Sequence, residues 1–210
     1  MTTKPFDDAP LLRKRIAAAA ARLIARDGAD YSGAKRKAAR QILGEAGAGA
    51  HLLPDNAQVE DKVRLYNALF LADTQPARLF RLRTVALQVM EALAQFHPHL
   101  SGAVFNGTAG PHAEIHLQLF ADSAKEVQIF LLDKNIAIDI GETPHFKGNR
   151  YPAVESVSFL WHGETVHAAL YEQGDIRGAL KMQADGKPAR TDGAGLRALL
   201  ARQAGVPPAA

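Results

Sequence analysis

The sequence predicts an α+β fold, and three observations predict it. Apolar residues recur at helical spacing from Leu12 to Phe96, the apolar period falls to two after Pro98, and turn-forming residues punctuate the second half at short intervals. The expected architecture is an N-terminal helical region, residues 1–75, packed on a mixed or antiparallel sheet in an α+β domain, residues 76–205. A mobile tail, residues 206–210, ends the chain.

Asp7 or Asp8 suits the N-cap of a first helix that Pro10 starts. Leu12, Ile16, Ala19, Ala20, Leu23 and Ile24 form its stripe, and Gly28 stops it. A second helix runs from Ser32 to about Leu43. Glycines 44, 47 and 49 then make a flexible break. Asp55 followed by Gln58 has the spacing of a capping box, and Val59, Val63, Tyr66 and Phe70 form the buried stripe of a third helix. Thr74 and Pro76 open a fourth. Its apolar face is Leu79, Leu82, Val85, Val89, Leu93 and Phe96, and its wet side carries Arg78, Arg81 and Arg83.

Strands are expected at Gly102–Phe105, Glu114–Phe120, Val127–Leu132, Asn135–Ile140, Ser156–His162 and Thr165–Tyr171. Hairpin connections are expected at Asp122–Lys125 and Gly163–Glu164. Residues 141–153 hold two prolines and two glycines and read as a loop. Gly193–Gln203 reads as a short closing helix.

The 210 residues are 47% hydrophobic, enough for a real core. The absence of cysteine excludes disulfides, thiolate metal sites and cysteine nucleophiles. The N-terminus has no apolar leader and no run approaches a membrane span, so the expected setting is the cytoplasm, with no membrane partner. Charge is uneven: residues 1–99 hold 15 Lys/Arg against 10 Asp/Glu, the remainder 10 against 12. A P-loop, a GxSxG elbow and an HExxH pair are all missing, which removes the commonest signatures of ATP, acyl-transfer and zinc-protease chemistry.

The most site-like stretch is Leu100–Leu119. Alternation puts Glu114, His116 and Gln118 on one side of a strand and Ile115, Leu117 and Leu119 on the other. A glycine-rich turn precedes them. The stretch from Gly102 to Leu117 resembles the signature of the nucleotidyltransferase superfamily, the DNA polymerase β-like minimal nucleotidyltransferase fold. Gly102 takes the first glycine, Ala103 falls where serine is usual, Gly107-Thr108-Ala109 fills the glycine-threonine turn, and Ala113-Glu114-Ile115-His116-Leu117 falls on Ser-Asp-apolar-Asp-apolar. With the preceding helix and the next two strands, the resemblance covers about a third of the chain.

The resemblance implies a nucleotidyltransferase-like α+β domain. It implies a nucleotide or other phosphate-bearing ligand held by Gly102, Ala103, Gly107 and Thr108. It also implies a divalent ion, Mg²⁺ or Mn²⁺, on Glu114, His116 and a third carboxylate, the three acting as the catalytic set. Asp139 is the first candidate for that third position, because Ile136, Ile138 and Ile140 alternate with it; Glu164 is the second. His167 is an alternative ligand, which would make a two-His, one-carboxylate set with Glu114 and His116. Imidazole at the second aspartate position is a poor Mg²⁺ ligand, so the expected activity is a divergent or lost metal-dependent nucleotidyl transfer.

Other readings stay open. Glu114 and His116 also suit the wet face of a half-exposed sheet. Thr108 also suits a turn-stabilising hydroxyl. His97, His99, His112 and His145 are expected as surface or capping residues, Phe159 and Trp161 as sheet packing, and Lys147 and Arg150 as members of a solvated loop. The alternative function is a non-catalytic interaction module. In it the basic helical face of Lys35, Arg36, Lys37 and Arg40 binds protein or nucleic acid, although no aromatic residues interleave with those cations.

Overall fold

The computed structural model describes residues 9–29, 31–44, 49–148, 150–179 and 188–205. The chain forms two compact units. One comprises Met1–Arg78 and Thr108–Ala113, the other Leu79–Gly107 and Glu114–Ala210. The fold is α+β, with eight α-helices and a six-stranded mixed sheet among the described residues.

The helical unit contains α1 (Ala9–Asp27), α2 (Tyr31–Leu43), α3 (Asn56–Phe70) and the first turn of α4 (Gln75–Ala92). Its core is built largely from small residues: Ala17, Ala20, Ala21, Ala34 and Ala38 pack with Ile16, Val59 and Val63. Alanines on facing stripes let helices approach closely at little side-chain entropy cost. The capping box forms as the spacing requires, with Asp55 Oδ1 accepting from the Gln58 N–H at 2.7 Å and Gln58 Oε1 from the Asp55 N–H at 3.2 Å. Phe70 departs from the expected stripe and is 66% exposed, its ring lying against Tyr66 instead. Lys35 donates to Asn56 Oδ1 at 2.9 Å and Arg36 to the Ser32 hydroxyl, so two of the four basic-face cations are engaged within this unit. The expected N-cap at Asp7 or Asp8, Gly47 in the glycine break and the 206–210 tail lie outside the described residues.

The second unit begins with the rest of α4, whose expected apolar face is buried from Leu79 to Val89 and continues through Leu93 and Phe96. The elements that follow are β1 (His99–Ser101), α5 (Gly102–Asn106), β2 (Ile115–Ala121), α6 (Ala124–Asp133), β3 (Asp139–Thr143), β4 (Val154–Trp161), β5 (Glu164–Glu172), α7 (Ile176–Ala179), β6 (Arg190–Thr191) and α8 (Gly193–Gln203). The sheet order is β3-β4-β5-β2-β1-β6. All pairs are antiparallel except β2 with β5.

Four expectations are corrected. Gly102–Phe105 is helical, not a strand: Gly102 enters at φ +69° and the five-residue helix ends at Gly107, φ +83°. Val127–Leu132 lies in α6, not in a strand, and Asp122–Lys125 is not a hairpin. Ser123 caps that helix by accepting the Lys125 N–H at 3.1 Å, and Val127 and Leu131, four apart, are its buried stripe. The fourth expected strand, Asn135–Ile140, starts later, at Asp139, because Asn135 turns the chain at the end of α6, and it runs on to Thr143 into the segment read as a loop. The β4–β5 hairpin turns through His162 and Gly163, both at positive φ, as a two-residue loop requires.

Of the α4 arginines expected on the wet side, Arg81 is exposed and Arg83 is corrected. Arg83 is 8% exposed. It donates to the carbonyls of Val104 and Phe105, each at 3.0 Å, and to Gln203 Oε1 at 3.1 Å. A cation on the last-turn carbonyls of α5 satisfies acceptors that have no helical partner. Arg81 pairs with the buried Glu164 at 2.8 Å. His99 and His145 are buried rather than on the surface. Among the described residues no helix is long and apolar enough to cross a membrane.

Because Arg83 closes two α5 carbonyls, Arg83→Met is expected to destabilise the protein by about 2–3 kcal/mol. Urea denaturation followed by circular dichroism measures this. A loss under about 0.5 kcal/mol would show that α5 does not depend on the guanidinium.

Candidate functional site

Cross-strand register sorts the sheet into two faces. Ile140, Val157, Ala168, Leu117, Leu100 and Thr191 pair in one continuous row across the six strands. Its central members Val157, Ala168, Leu117 and Leu100 are buried in the core, while Ile140 at one edge is exposed. The adjacent row, one residue along each strand, is Asp139, Ser158, His167, His116, Ser101 and Arg190. Side chains one residue apart point to opposite faces, so these six polar residues share the other face. A cavity of about 500 Å³ stands over it, with Gly102, His116, Gln118, His167, Phe146 and Tyr171 among its lining residues.

His167 is the best-fixed polar group there. Its Nε2 lies 2.8 Å from Glu114 Oε2 and its Nδ1 2.7 Å from the Ser158 hydroxyl. An ionised carboxylate only accepts, so Glu114 places the proton on Nε2. That leaves the Nδ1 lone pair to accept the Ser158 O–H. The His116 ring stacks on His167 with centroids 5.2 Å apart and planes 20° apart. His116 is open to the cavity while its walls surround it. Desolvation lowers its pKa below the ordinary 6.5; the neighbouring His167 adds to the lowering and Glu114 opposes it.

One wall is an aromatic strap. Phe146 packs edge-on against Tyr171 at 4.9 Å, and the Arg190 guanidinium stacks on Phe146 at 4.6 Å while donating to Gln118 Oε1. The strap is fastened by His145. Its Nε2 donates to Asp175 Oδ2 at 3.1 Å, and its Nδ1 accepts the Lys147 N–H at 3.1 Å. The Lys147 ammonium also reaches Asp175, so it is tied down rather than solvated.

The structure separates several residues that the sequence grouped. Glu114 and His116 share the polar face, but Glu114 is engaged with His167. Asp139 is on that face three strands from His116, about 14 Å at ordinary strand spacing. Glu164 is three residues from His167, so its side chain leaves the opposite face, where Arg81 holds it. Both His167 nitrogens have partners. Among the described residues no three His, Asp or Glu side chains gather closely enough to hold a metal ion.

Of the expected phosphate-binding residues, Gly102 lines the cavity, and a Cβ added there would lie 3.6 Å from the His116 ring. Ala103 follows in the first turn of α5, and the Gly107 N–H caps that helix on Ala103 O at 3.0 Å. Thr108 belongs to the helical unit. It is 2% exposed, with its hydroxyl 3.4 Å from the Tyr31 hydroxyl and its carbonyl accepting from Asn67. Ser158 escaped the sequence reading, since a serine inside an alternating strand carries no local signal.

Comparisons of this chain with family models, with curated proteins and with solved structures give no match.

The lowered His116 pKa has a signed consequence. Between the folded and unfolded pKa values the unfolded chain binds more protons, so this group contributes stability at neutral pH that is lost as pH falls through the histidine range. Urea midpoints at about pH 5 and about pH 7.5 are expected to differ less in His116→Asn than in the unaltered protein. An unchanged difference would contradict the assignment.

Proposed function

We propose that the chain binds a nucleotide or a related phosphate ester in the cavity over the polar sheet face, and that metal-dependent nucleotidyl transfer has been lost. The observation that carries the reading is the placement of Gly102 directly against His116 at the cavity. This is the glycine-turn-against-strand arrangement that the resemblance to nucleotidyltransferases implies. A cavity of about 500 Å³ suits a ligand of mononucleotide size. Phe146 and Tyr171 supply an aromatic wall, while Gln118 and His116 offer neutral hydrogen-bonding groups. Arg190 occupies Gln118 Oε1, which leaves the amide N–H groups of Gln118 for a ligand. Loss of transfer is supported by imidazole at the second acidic position and by the engagement of Glu114 with His167.

Calorimetry with ATP, CTP and GTP, each with Mg²⁺, with Mn²⁺ and with chelator, tests this. At least one nucleotide is expected to bind with similar affinity in all three conditions, and His116→Ala is expected to weaken it about 5- to 10-fold. No binding by any of them, or nucleotide incorporation in either metal, would overturn the reading.

A further inference from the structure

The Ser158–His167–Glu114 chain has a capability that the nucleotide reading does not use. The hydroxyl donates to one imidazole nitrogen and a carboxylate accepts from the other, at 2.7 and 2.8 Å. This is the nucleophile, base and orienting acid order of acyl-transfer sites, which is recognised by geometry and not by sequence position. The three residues come from β4, from β5 and from the position just before β2, and sheet register alone brings them together.

Ser158 also opens onto a recess of about 490 Å³, separate from the cavity over His116. Ile136, Ile138 and Leu160 are among its lining residues, and Asp139 is a polar member. Apolar walls suit an acyl chain, and the Asp139 carboxylate disfavours anionic substrates. We infer that Ser158 is an activated nucleophile toward neutral carboxylic esters with an apolar acyl group.

In the reaction Ser158 Oγ forms a bond to the ester carbonyl carbon and its proton passes to His167 Nδ1. Glu114 holds Nε2–H and stabilises the imidazolium. The carbon–oxygen bond to the alcohol breaks, and the alcohol leaves with the Nδ1 proton. Water then attacks the acyl-serine carbon, giving a proton to Nδ1 that returns to Oγ as the acid departs. Ser158 and His167 are the catalytic residues; Glu114 is a positioning residue.

The test treats the full chain with a fluorophosphonate probe, maps the modified peptide, and follows p-nitrophenyl butyrate hydrolysis. The expected result is modification at Ser158, no turnover in Ser158→Ala, and a loss of about 100-fold or more in His167→Gln. Glu114→Gln is expected to lower kcat about 10-fold or more with KM little changed. Circular dichroism confirms that each variant folds. If His167→Gln does not fold, the mapped labelling and Glu114→Gln decide. No modified serine, modification elsewhere, or labelling at Ser158 that is indifferent to Glu114 and His167 would overturn the inference. None of these outcomes depends on nucleotide binding.

Discussion

Parallel pairing of β2 with β5 sets His116 beside His167 and carries Glu114 to within hydrogen-bond reach of the His167 ring. Everything chemical on the polar face depends on that register. A slip of one residue would turn Ile115 and Leu117 outward and bury His116, a change the core could not accommodate. The buried row from Val157 to Leu100 therefore enforces the polar row from Asp139 to Arg190. Burial on one face specifies the site on the other.

The elements around the site follow one another closely in the chain. A glycine turn and a short helix lead into an alternating strand, and Arg83 bonds to the last-turn carbonyls of that helix. On the polar face Glu114 bonds to His167, and the His116 ring stacks on the same imidazole. The carboxylate, the two rings and the Ser158 hydroxyl thus form one connected group suited to hydrogen bonding and proton transfer.

Legibility in the sequence followed the range of the forces involved. The Asp55–Gln58 box, the α4 apolar face, the alternation of β2, β4 and β5, and α8 are set by local spacing, and each is present. The apolar run of α6 fits either period. The deciding feature is the Ser123 cap, whose Asp-Ser sequence suits a turn equally well. The helix at Gly102 contains Val104 and Phe105, both strand formers, and is held by distant Arg83, so tertiary contacts override propensity. β1 and β6 are too short to show a period. Glu114 and His116 could be placed on one face from alternation alone. The partnership with His167 and Ser158 could not, because strand order and register are long-range outcomes.

The central claim is that the His167 imidazole is fixed between the Glu114 carboxylate and the Ser158 hydroxyl. Nitrogen NMR of the histidine rings in the full chain near neutral pH measures this directly. The account predicts that His167 carries its proton on Nε2, with Nδ1 shifted by an accepted hydrogen bond, and that the Nδ1 shift changes in Ser158→Ala. A proton resident on Nδ1, or rapid averaging between the two nitrogens, would contradict it.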